Sequence, residues 1–234
     1  MKTKLLTLVM GLLLVGSAMA DSGGNSVYID QTNADQSTVT ITQTGANNTV
    51  GDSNTTTGTP FTIDGNSMNL TITQDGMNNS VTGNFVGGNS TASITQSGNS
   101  NSTVLNMGNF GTNNGNLGIN FTGSSNSSVL NIGTTHDSSN YNYSLTATGD
   151  SNSITSTINS KNTNNSITLT GDSNTVTTTQ TGANGTLTTG GHNITATVVG
   201  SNNTVGVIQN GTTNPNSATV SVNGSGAAVS ITQH

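Results

Sequence analysis

A short turn recurs at a step of eleven residues in this chain of 234 residues. The turn has the form Gly-x-x-Asn or a close variant, and four successive examples begin at Gly149, Ser160, Gly171 and Gly182. Gly and Asn tolerate the positive φ that a tight chain reversal requires. A fixed step this short indicates small strand-and-turn units that must stack on one another to bury their apolar faces.

Apolar and polar residues alternate between these turns. Ser37–Gln43 places Val39, Ile41 and Gln43 on one face and three threonines on the other. Alternation with a period of two, rich in β-branched residues, predicts strands with one buried face. The same pattern returns in Leu70–Gln74, Ala92–Gln96, Ile167–Leu169 and Val229–Gln233.

The predicted fold is therefore all-β, a β-solenoid of stacked strand-turn-strand repeats of about 22 residues, with cross-β pairing of the amyloid type. Two eleven-residue units form one rung, and residues 21–234 form one repeat array. Four stretches exceed the two-strand step and are predicted to be irregular loops at the edge of the stack: 55–64, 109–115, 134–141 and 212–216.

The first twenty residues have the three parts of a secretory signal peptide. Lys2 and Lys4 precede an apolar stretch, Leu5–Val15, and Ala18-Met19-Ala20 matches the cleavage pattern. The apolar stretch is shorter than the ~20 residues that a membrane-spanning helix needs. The sequence thus predicts cleavage before Asp21 and export of residues 21–234, without insertion into a membrane.

Charge excludes several classes of partner. Charged residues are 5% of the chain, against about 25% in an average protein, and Lys161 is the one basic residue after the predicted signal peptide. Such a surface cannot neutralise phosphates, so nucleic-acid binding is not expected. The chain has no cysteine, so backbone pairing and packing must order it without disulfides.

The sequence also lacks the parts of an enzyme. It contains neither Glu nor Cys, and it has no paired carboxylates within a motif. His136, His192 and His234 lack the close partners that a metal or a catalytic base requires. We interpret all three as solvated residues and expect no catalytic site, no metal and no cofactor.

Two segments carry a family motif. Ser37-x5-Gln43-x-Gly45-x2-Asn48 and Ser90-x5-Gln96-x-Gly98-x2-Asn101 resemble the curlin repeat, the unit of curli amyloid subunits. The second half of the motif also matches at Gln74-x-Gly76-x2-Asn79 and Gln209-x-Gly211-x2-Asn214, and Gln180-x-Gly182 begins it. The second Gln of the family repeat, six residues after Asn, is replaced by Asn54, Phe85 and Met107 in the first half of the chain.

The resemblance implies a structural subunit that assembles into an extracellular functional amyloid fibre, for biofilm matrix, adhesion and surface attachment. It implies a pilus-like cell-surface fibre of a Gram-negative bacterium, with a companion or nucleating subunit and an outer-membrane export apparatus as partners. Whether this chain is the major subunit or the minor, nucleating one stays open, and so does the alternative of a soluble ice-binding or adhesin solenoid.

Inward Gln and Asn side chains are predicted to bond from rung to rung, because each carboxamide has a donor and an acceptor. The first and last strands, Val27–Gln31 and Val229–Gln233, show no cap, so both ends should accept another copy. The predicted ladder and turn residues are Ser37, Val39, Ile41, Gln43, Gly45, Asn48, Gln74, Gly76, Asn79, Ser90, Ile94, Gln96, Gly98, Asn101, Gln180, Gly182, Gln209, Gly211, Asn214 and Gln233.

Aspartates beside the turns allow two interpretations. Asp52, Asp75, Asp150 and Asp172 either slow premature assembly by charge repulsion or are ordinary turn formers.

Overall fold

The computed structural model describes residues 24–32, 36–52, 58–65, 67–86, 91–106, 116–131, 142–159, 164–182, 192–211 and 216–234. The regular elements in these ranges are all β-strands, and they pair in parallel. The prediction of an all-β solenoid of stacked repeats is confirmed. The predicted signal peptide and the predicted loops 109–115 and 134–141 lie outside the described residues, as do residues 212–215 of the fourth loop.

Twenty strands follow one another along the chain. They are β1 Ser26–Val27, β2 Ile29–Thr32, β3 Thr38–Ala46, β4 Thr49–Val50, β5 Phe61–Asp64, β6 Asn69–Met77, β7 Ser80–Val81, β8 Phe85–Val86, β9 Thr91–Gln96, β10 Ser102–Thr103, β11 Ile119–Asn120, β12 Ser127–Val129, β13 Asn142–Thr146, β14 Ser153–Asn159, β15 Asn164–Thr168, β16 Thr175–Gly182, β17 Asn193–Val199, β18 Thr204–Gly211, β19 Ser217–Asn223 and β20 Ala228–Gln233.

The strands form two long sheets and one short one. The first long sheet has nine strands in the order β1-β4-β7-β10-β12-β14-β16-β18-β20, one from each rung. The second consists of β3, β6, β9 and β11 and then β13, β15, β17 and β19, joined through isolated bridges at Asn116. The short sheet, β2-β5-β8, adds a third side to the first rungs.

The rungs repeat at 22 residues where nothing is inserted, as between Gln74 and Gln96 and between Asn152 and Asn174. The equivalent asparagines Asn48 and Asn79 are 31 residues apart. Insertions therefore lengthen the connections while the paired strands keep their register. This is the behaviour of a solenoid, in which each rung contacts its neighbours alone.

The prediction of a loop over residues 55–64 is wrong for residues 61–64. Residues 61–64 form β5, which pairs with β2 through Ile29 and Phe61. Phe61 and Ile63 are fully buried, so burial of two large apolar side chains outweighs the irregular composition around them. Pro60 directly precedes the strand, a position where its missing N–H costs no bond within the ladder.

Inward side chains of the sheets form one hydrophobic core along the stack. Val39, Leu70, Ile72 and Ile94 represent the aliphatic rows in it, and each is at most 2% exposed.

On the outer face of the second long sheet, threonines and serines form aligned rows such as Thr42, Thr73 and Thr95. In the next rung Asn120 pairs with Thr95 and takes the place of the threonine in this row. In the described part of the chain, no helix has the length and apolarity needed to cross a membrane.

Candidate assembly interface

An asparagine closes the arcs that lead from the second long sheet to the first, except the last arc, where Ala227 takes its place. The backbone N–H of Asn48 donates to Oδ1 of Asn25 at 2.9 Å, and the N–H of Asn79 donates to Oδ1 of Asn48 at 3.0 Å. The same bond recurs at 2.9–3.0 Å in every later rung, through Asn101, Asn126, Asn152, Asn174, Asn203 and finally the N–H of Ala227. We call this series the asparagine ladder.

The asparagine ladder supplies hydrogen-bond partners to buried polar groups, and its bonds all point in the same direction along the stack. Each carboxamide oxygen accepts from the next rung, and Nδ2 of Asn203 also donates to the carbonyl of Gly224 in that rung at 2.8 Å. The ladder asparagines from Asn48 to Asn203 are buried. An unpaired buried amide costs ~1–3 kcal/mol, so these residues are stable inside only because the rungs stack in register.

The sequence motif predicts Asn48, Asn79 and Asn101 as ladder residues but does not identify the rest of this ladder. Its signal was present in the Gly-x-x-Asn turns that begin at Gly123, Gly149 and Gly171, which continue after the glutamines are lost. The structural reason is that the arc repeats even where the strands between arcs change. The missed ladder residues are Asn25, Asn126, Asn152, Asn174 and Asn203.

Glycine begins each arc because the rungs approach closely there. A Cβ on Gly45 would lie 2.0 Å from the carbonyl oxygen of Gly76, and one on Gly76 would lie 2.1 Å from that of Gly98. The third arc residue is left-handed, with φ of 56° at Asn47 and 58° at Asn78. Gly45, Gly76 and Gly98, which the sequence predicts as turn residues, all lie at such close approaches.

A first glutamine ladder lies on the second long sheet. Nε2 of Gln43 donates to Oε1 of Gln74 at 2.7 Å, and Nε2 of Gln74 donates to Oε1 of Gln96 at 2.8 Å. Gln74 and Gln96 are fully buried. In the last of these rungs, Nε2 of Gln96 bonds to the hydroxyl of Thr103 and the carbonyl of Ser80, so the ladder ends without an orphan donor.

A second glutamine ladder lies on the other long sheet. Nε2 of Gln180 donates to Oε1 of Gln209 at 3.1 Å, and Nε2 of Gln209 donates to Oε1 of Gln233 at 2.9 Å. Gln180 and Gln209 follow the ladder asparagines Asn174 and Asn203 by six residues. They therefore occupy the second Gln position of the repeat, which Asn54, Phe85 and Met107 fill after Asn48, Asn79 and Asn101.

The predicted phase of these glutamines is wrong. Gly182 and Gly211 pair with each other within strands β16 and β18, so neither begins an arc of the kind formed by Gly45. The Gln-x-Gly pattern occurs in strands of both long sheets, because the chain is rich in Gly and polar residues. Its spacing alone does not show to which sheet a given glutamine belongs.

The other predicted residues that the structure describes either lie in the core or hydrogen-bond to the neighbouring rung. Ser37 donates to the carbonyl of Gly65 at 3.0 Å and accepts from the N–H of Met68 at 3.1 Å. Val39, Ile41 and Ile94 are buried in the core. Ser90 and Asn214 lie outside the described residues.

The middle rungs bury a polar group of a different kind. Nδ2 of Asn165 lies 3.2 Å from the Ser156 hydroxyl and 3.3 Å from the Thr178 hydroxyl, across the interior. Burial raises the pKa of Tyr143, whose buried hydroxyl has no hydrogen-bond partner among the described residues. These side chains replace the glutamine ladders between the two halves of the stack.

The prediction that His192 is solvated is wrong. Its side chain is fully buried, and Nδ1 accepts the backbone N–H of Asn216 at 3.0 Å. Burial lowers the pKa of His192, opposed by backbone contacts with Gly211 and Thr181. His234 is exposed, as predicted, and His136 lies outside the described residues.

Two turn aspartates act as hydrogen-bond acceptors. Oδ1 of Asp150 accepts the N–H of Ser124 at 2.6 Å, and Oδ1 of Asp172 accepts the N–H of Asp150 at 2.9 Å. Both bonds join neighbouring rungs, 26 and 22 residues apart in the chain, so these carboxylates link one turn to the turn of the preceding rung. Asp52 also has an interaction in the structure.

At the two ends of the stack, aliphatic side chains are partly exposed, whereas the equivalent side chains of inner rungs are buried. Val50 and Val205, inside the first long sheet, are fully buried, whereas Val27 and Val229 in its outer strands are only partly buried. Ile231 in β20 is likewise partly buried. β1 and β20 are the outer strands of this sheet. Within the described residues, no segment covers the free edge of β20.

The described residues contain no group of three or more His, Cys, Asp or Glu side chains that could hold a metal ion. No protein-family model, curated protein or solved structure matches the chain.

Proposed function

We propose that this protein is a structural subunit that assembles end to end into an extracellular fibre of the curlin type. The observation that carries this proposal is the pair of stack ends in the described part of the chain, where the outer strands β1 and β20 contain the partly buried Val27 and Val229. Edge strands with free N–H and C=O groups are templates for pairing with another chain. A second copy supplies the same parallel pairing, so addition can continue without limit.

The interior supports the same proposal. Both kinds of ladder bond along the stack axis. In the asparagine ladder each carboxamide oxygen accepts the backbone N–H of the equivalent residue one rung away, and in the glutamine ladders each carboxamide donates to its equivalent. Such ladders stabilise cross-β fibres in the same direction in which subunits would add. Export through the predicted signal peptide, a companion subunit and a role in biofilm attachment belong to this proposal through the resemblance of the repeat motifs to curlin.

A second candidate function is binding to an ordered surface such as ice, as a monomer. The observation that favours it is the outer face of the second long sheet. Thr40, Thr71 and Ser93 align in one row, and Ser144, Ser166, Thr195 and Thr219 continue the same position in later rungs. Thermal hysteresis in a solution of monomers would favour this candidate over the fibre.

The fibre proposal is tested by incubating purified protein and following thioflavin-type dye binding, electron microscopy and fibre diffraction. We expect unbranched fibres with a meridional reflection at about 4.7–4.8 Å, the spacing of strands perpendicular to the fibre axis. A protein that stays monomeric for days at concentrations where amyloid subunits assemble would overturn the proposal.

A further inference from the structure

The first and last strand segments of the stack have the same pattern of inward side chains. Val27, Ile29 and Gln31 follow the ladder residue Asn25 by two, four and six residues. Val229, Ile231 and Gln233 follow Ala227, the last position of the asparagine ladder, at the same three distances. The two segments are thus equivalent positions of the repeat.

Strand pairing defines how these segments would align. Ser26 pairs with Thr49 in the second rung, and Ala228 pairs with Thr204 in the eighth. Both are the first residue after the ladder position. We propose, on the premise of the self-assembly above, that β20 of one copy pairs with residues 26–32 of the next, so that Val229 stacks on Val27, Ile231 on Ile29 and Gln233 on Gln31.

The backbone of residues 26–32 fits this pairing. In the third to fifth rungs the chain bends at left-handed residues that follow the strand of the first long sheet, with φ of 68° at Asn84, 86° at Asn106 and 106° at Asn131. Residues 26–32 contain no positive φ. They form β1 and β2, which Tyr28 alone separates, so both strands can pair with β20 in one register.

The second glutamine ladder leaves a donor for the next copy. Gln209 uses both N–H groups of Nε2, one to the carbonyl of Asn193 at 2.9 Å and one to Gln233 at 2.9 Å. Nε2 of Gln233 donates to the carbonyl of Ser217 at 2.8 Å and carries a second N–H. In the proposed register that N–H points along the stack to Oε1 of Gln31 in the next copy.

The junction has one weaker point, at the arc. Inside the stack the N–H of each ladder residue donates to an asparagine Oδ1 in the preceding rung. At the junction this position is Ala227, which has no carboxamide. The N–H of Asn25 in the next copy therefore gains no side-chain acceptor.

Paired cysteines test the register, because the chain has no cysteine of its own. Ser26→Cys with Ala228→Cys places two cysteines on adjacent strands across the junction, with Cα atoms about 4.8 Å apart, within the Cα separation of a disulfide. The same two residues within one molecule lie at opposite edges of a nine-stranded sheet, about 38 Å apart. Oxidised fibres should therefore give a ladder of covalent multimers on a non-reducing gel.

The matched control is Thr49→Cys with Ala228→Cys, which reports a register in which β20 pairs with β4 and residues 26–32 are displaced. We expect this variant to form fibres without covalent multimers. Cross-linking of the control, or fibres of Ser26→Cys/Ala228→Cys that stay uncross-linked, would overturn the register while leaving the proposed function intact. Failure of the unsubstituted protein to form fibres would overturn both.

Ala227→Asn provides a second measurement that does not depend on cysteine chemistry. The new Oδ1 would accept from Asn25 of the next copy, so the critical concentration for assembly should fall about twofold to tenfold, the range that one net hydrogen bond represents. Ala228→Asn, at the neighbouring outward position, is the control and should leave it unchanged. An unchanged critical concentration for Ala227→Asn would contradict the proposed register.

Discussion

At the scale of single residues, the structure shows how polar side chains replace much of a conventional core. Asn126, Asn152 and Asn174 are buried, and each accepts one backbone N–H of the next rung. Each carboxamide is thus paired with its equivalent across one strand spacing. A chain of which 29% is hydrophobic can form an ordered interior in this way, because burial of a hydrogen-bonded amide avoids the cost of an unpaired one.

His192 makes folding stability depend on pH. Burial lowers its pKa in the folded state below the value of about 6.5 in an unfolded chain, so the fold favours neutral imidazole. Its stabilising contribution is complete above pH ~6.5 and is lost as pH falls through the folded-state pKa, because the unfolded state then binds the extra proton. The loss is at most about 1.4 kcal/mol per pH unit.

The measurement is urea unfolding between pH 7 and pH 5, in an Ile231→Lys background that should keep the chain monomeric. The control, His192→Gln, retains an acceptor for the N–H of Asn216 and removes the titrating group. We expect the unsubstituted His192 protein to lose more stability than the control over this range. Parallel pH profiles would show that His192 is already solvated or charged in the fold.

At the scale of the element, the arc is the most constrained part of the repeat. A Cβ on Gly171 would lie 2.1 Å from the carbonyl oxygen of Gly200, closer than real atoms approach. The arc glycines therefore set the distance between rungs. Gly206 in β18 has no such role, because a Cβ there would have its nearest neighbour at 4.0 Å.

Substitution of these two glycines should have opposite effects. Gly171→Ala should lower the free energy of unfolding by about 1–3 kcal/mol, since the two rungs must separate to admit the methyl group. Gly206→Ala should be neutral or stabilising by up to about 1 kcal/mol, because it lowers the entropy of the unfolded chain. Equal effects in denaturant unfolding would contradict the close stacking of the arcs.

Much of the element level could be predicted from the sequence. The alternation in Ser37–Gln43 and the turns beginning at Gly149 and Gly171 define strands, arcs and the 22-residue rung, because period and turn chemistry are local properties. The strand at Phe61–Asp64 and the sheet that carries Gln209 could not be predicted. Both depend on which neighbouring rung each segment pairs with, and insertions of variable length hide that register. The burial of His192 was missed for the same reason.

At the scale of the whole molecule, the stack has a direction. Its asparagine ladder reaches from Asn25 towards Ala227, and the two ends differ in their arcs while sharing the Val-x-Ile-x-Gln strand pattern. A fibre built from such subunits would be polar, with one kind of junction repeated along it. Heterologous contacts of this kind propagate because each addition recreates the surface that was covered.

The central claim, that opposite ends of two copies join, is tested most directly by blocking one end at a time. Ile29→Lys and Ile231→Lys each place an ammonium group at one end of the stack. Because both isoleucines are only partly buried, the lysine ammonium group can reach solvent in the monomer. In a junction the same charge would be buried without a partner. Tyr28→Lys, at a side chain that is 43% exposed, is the control and should assemble normally.

Analytical ultracentrifugation of the two blocked variants, alone and mixed, gives the decisive result. Each variant alone should remain monomeric, because every junction would contain one blocked end. An equimolar mixture should form a one-to-one dimer and stop, since the open end of each variant meets the open end of the other. Fibres from either variant alone, or a mixture that stays monomeric while the unsubstituted protein assembles, would contradict end-to-end assembly.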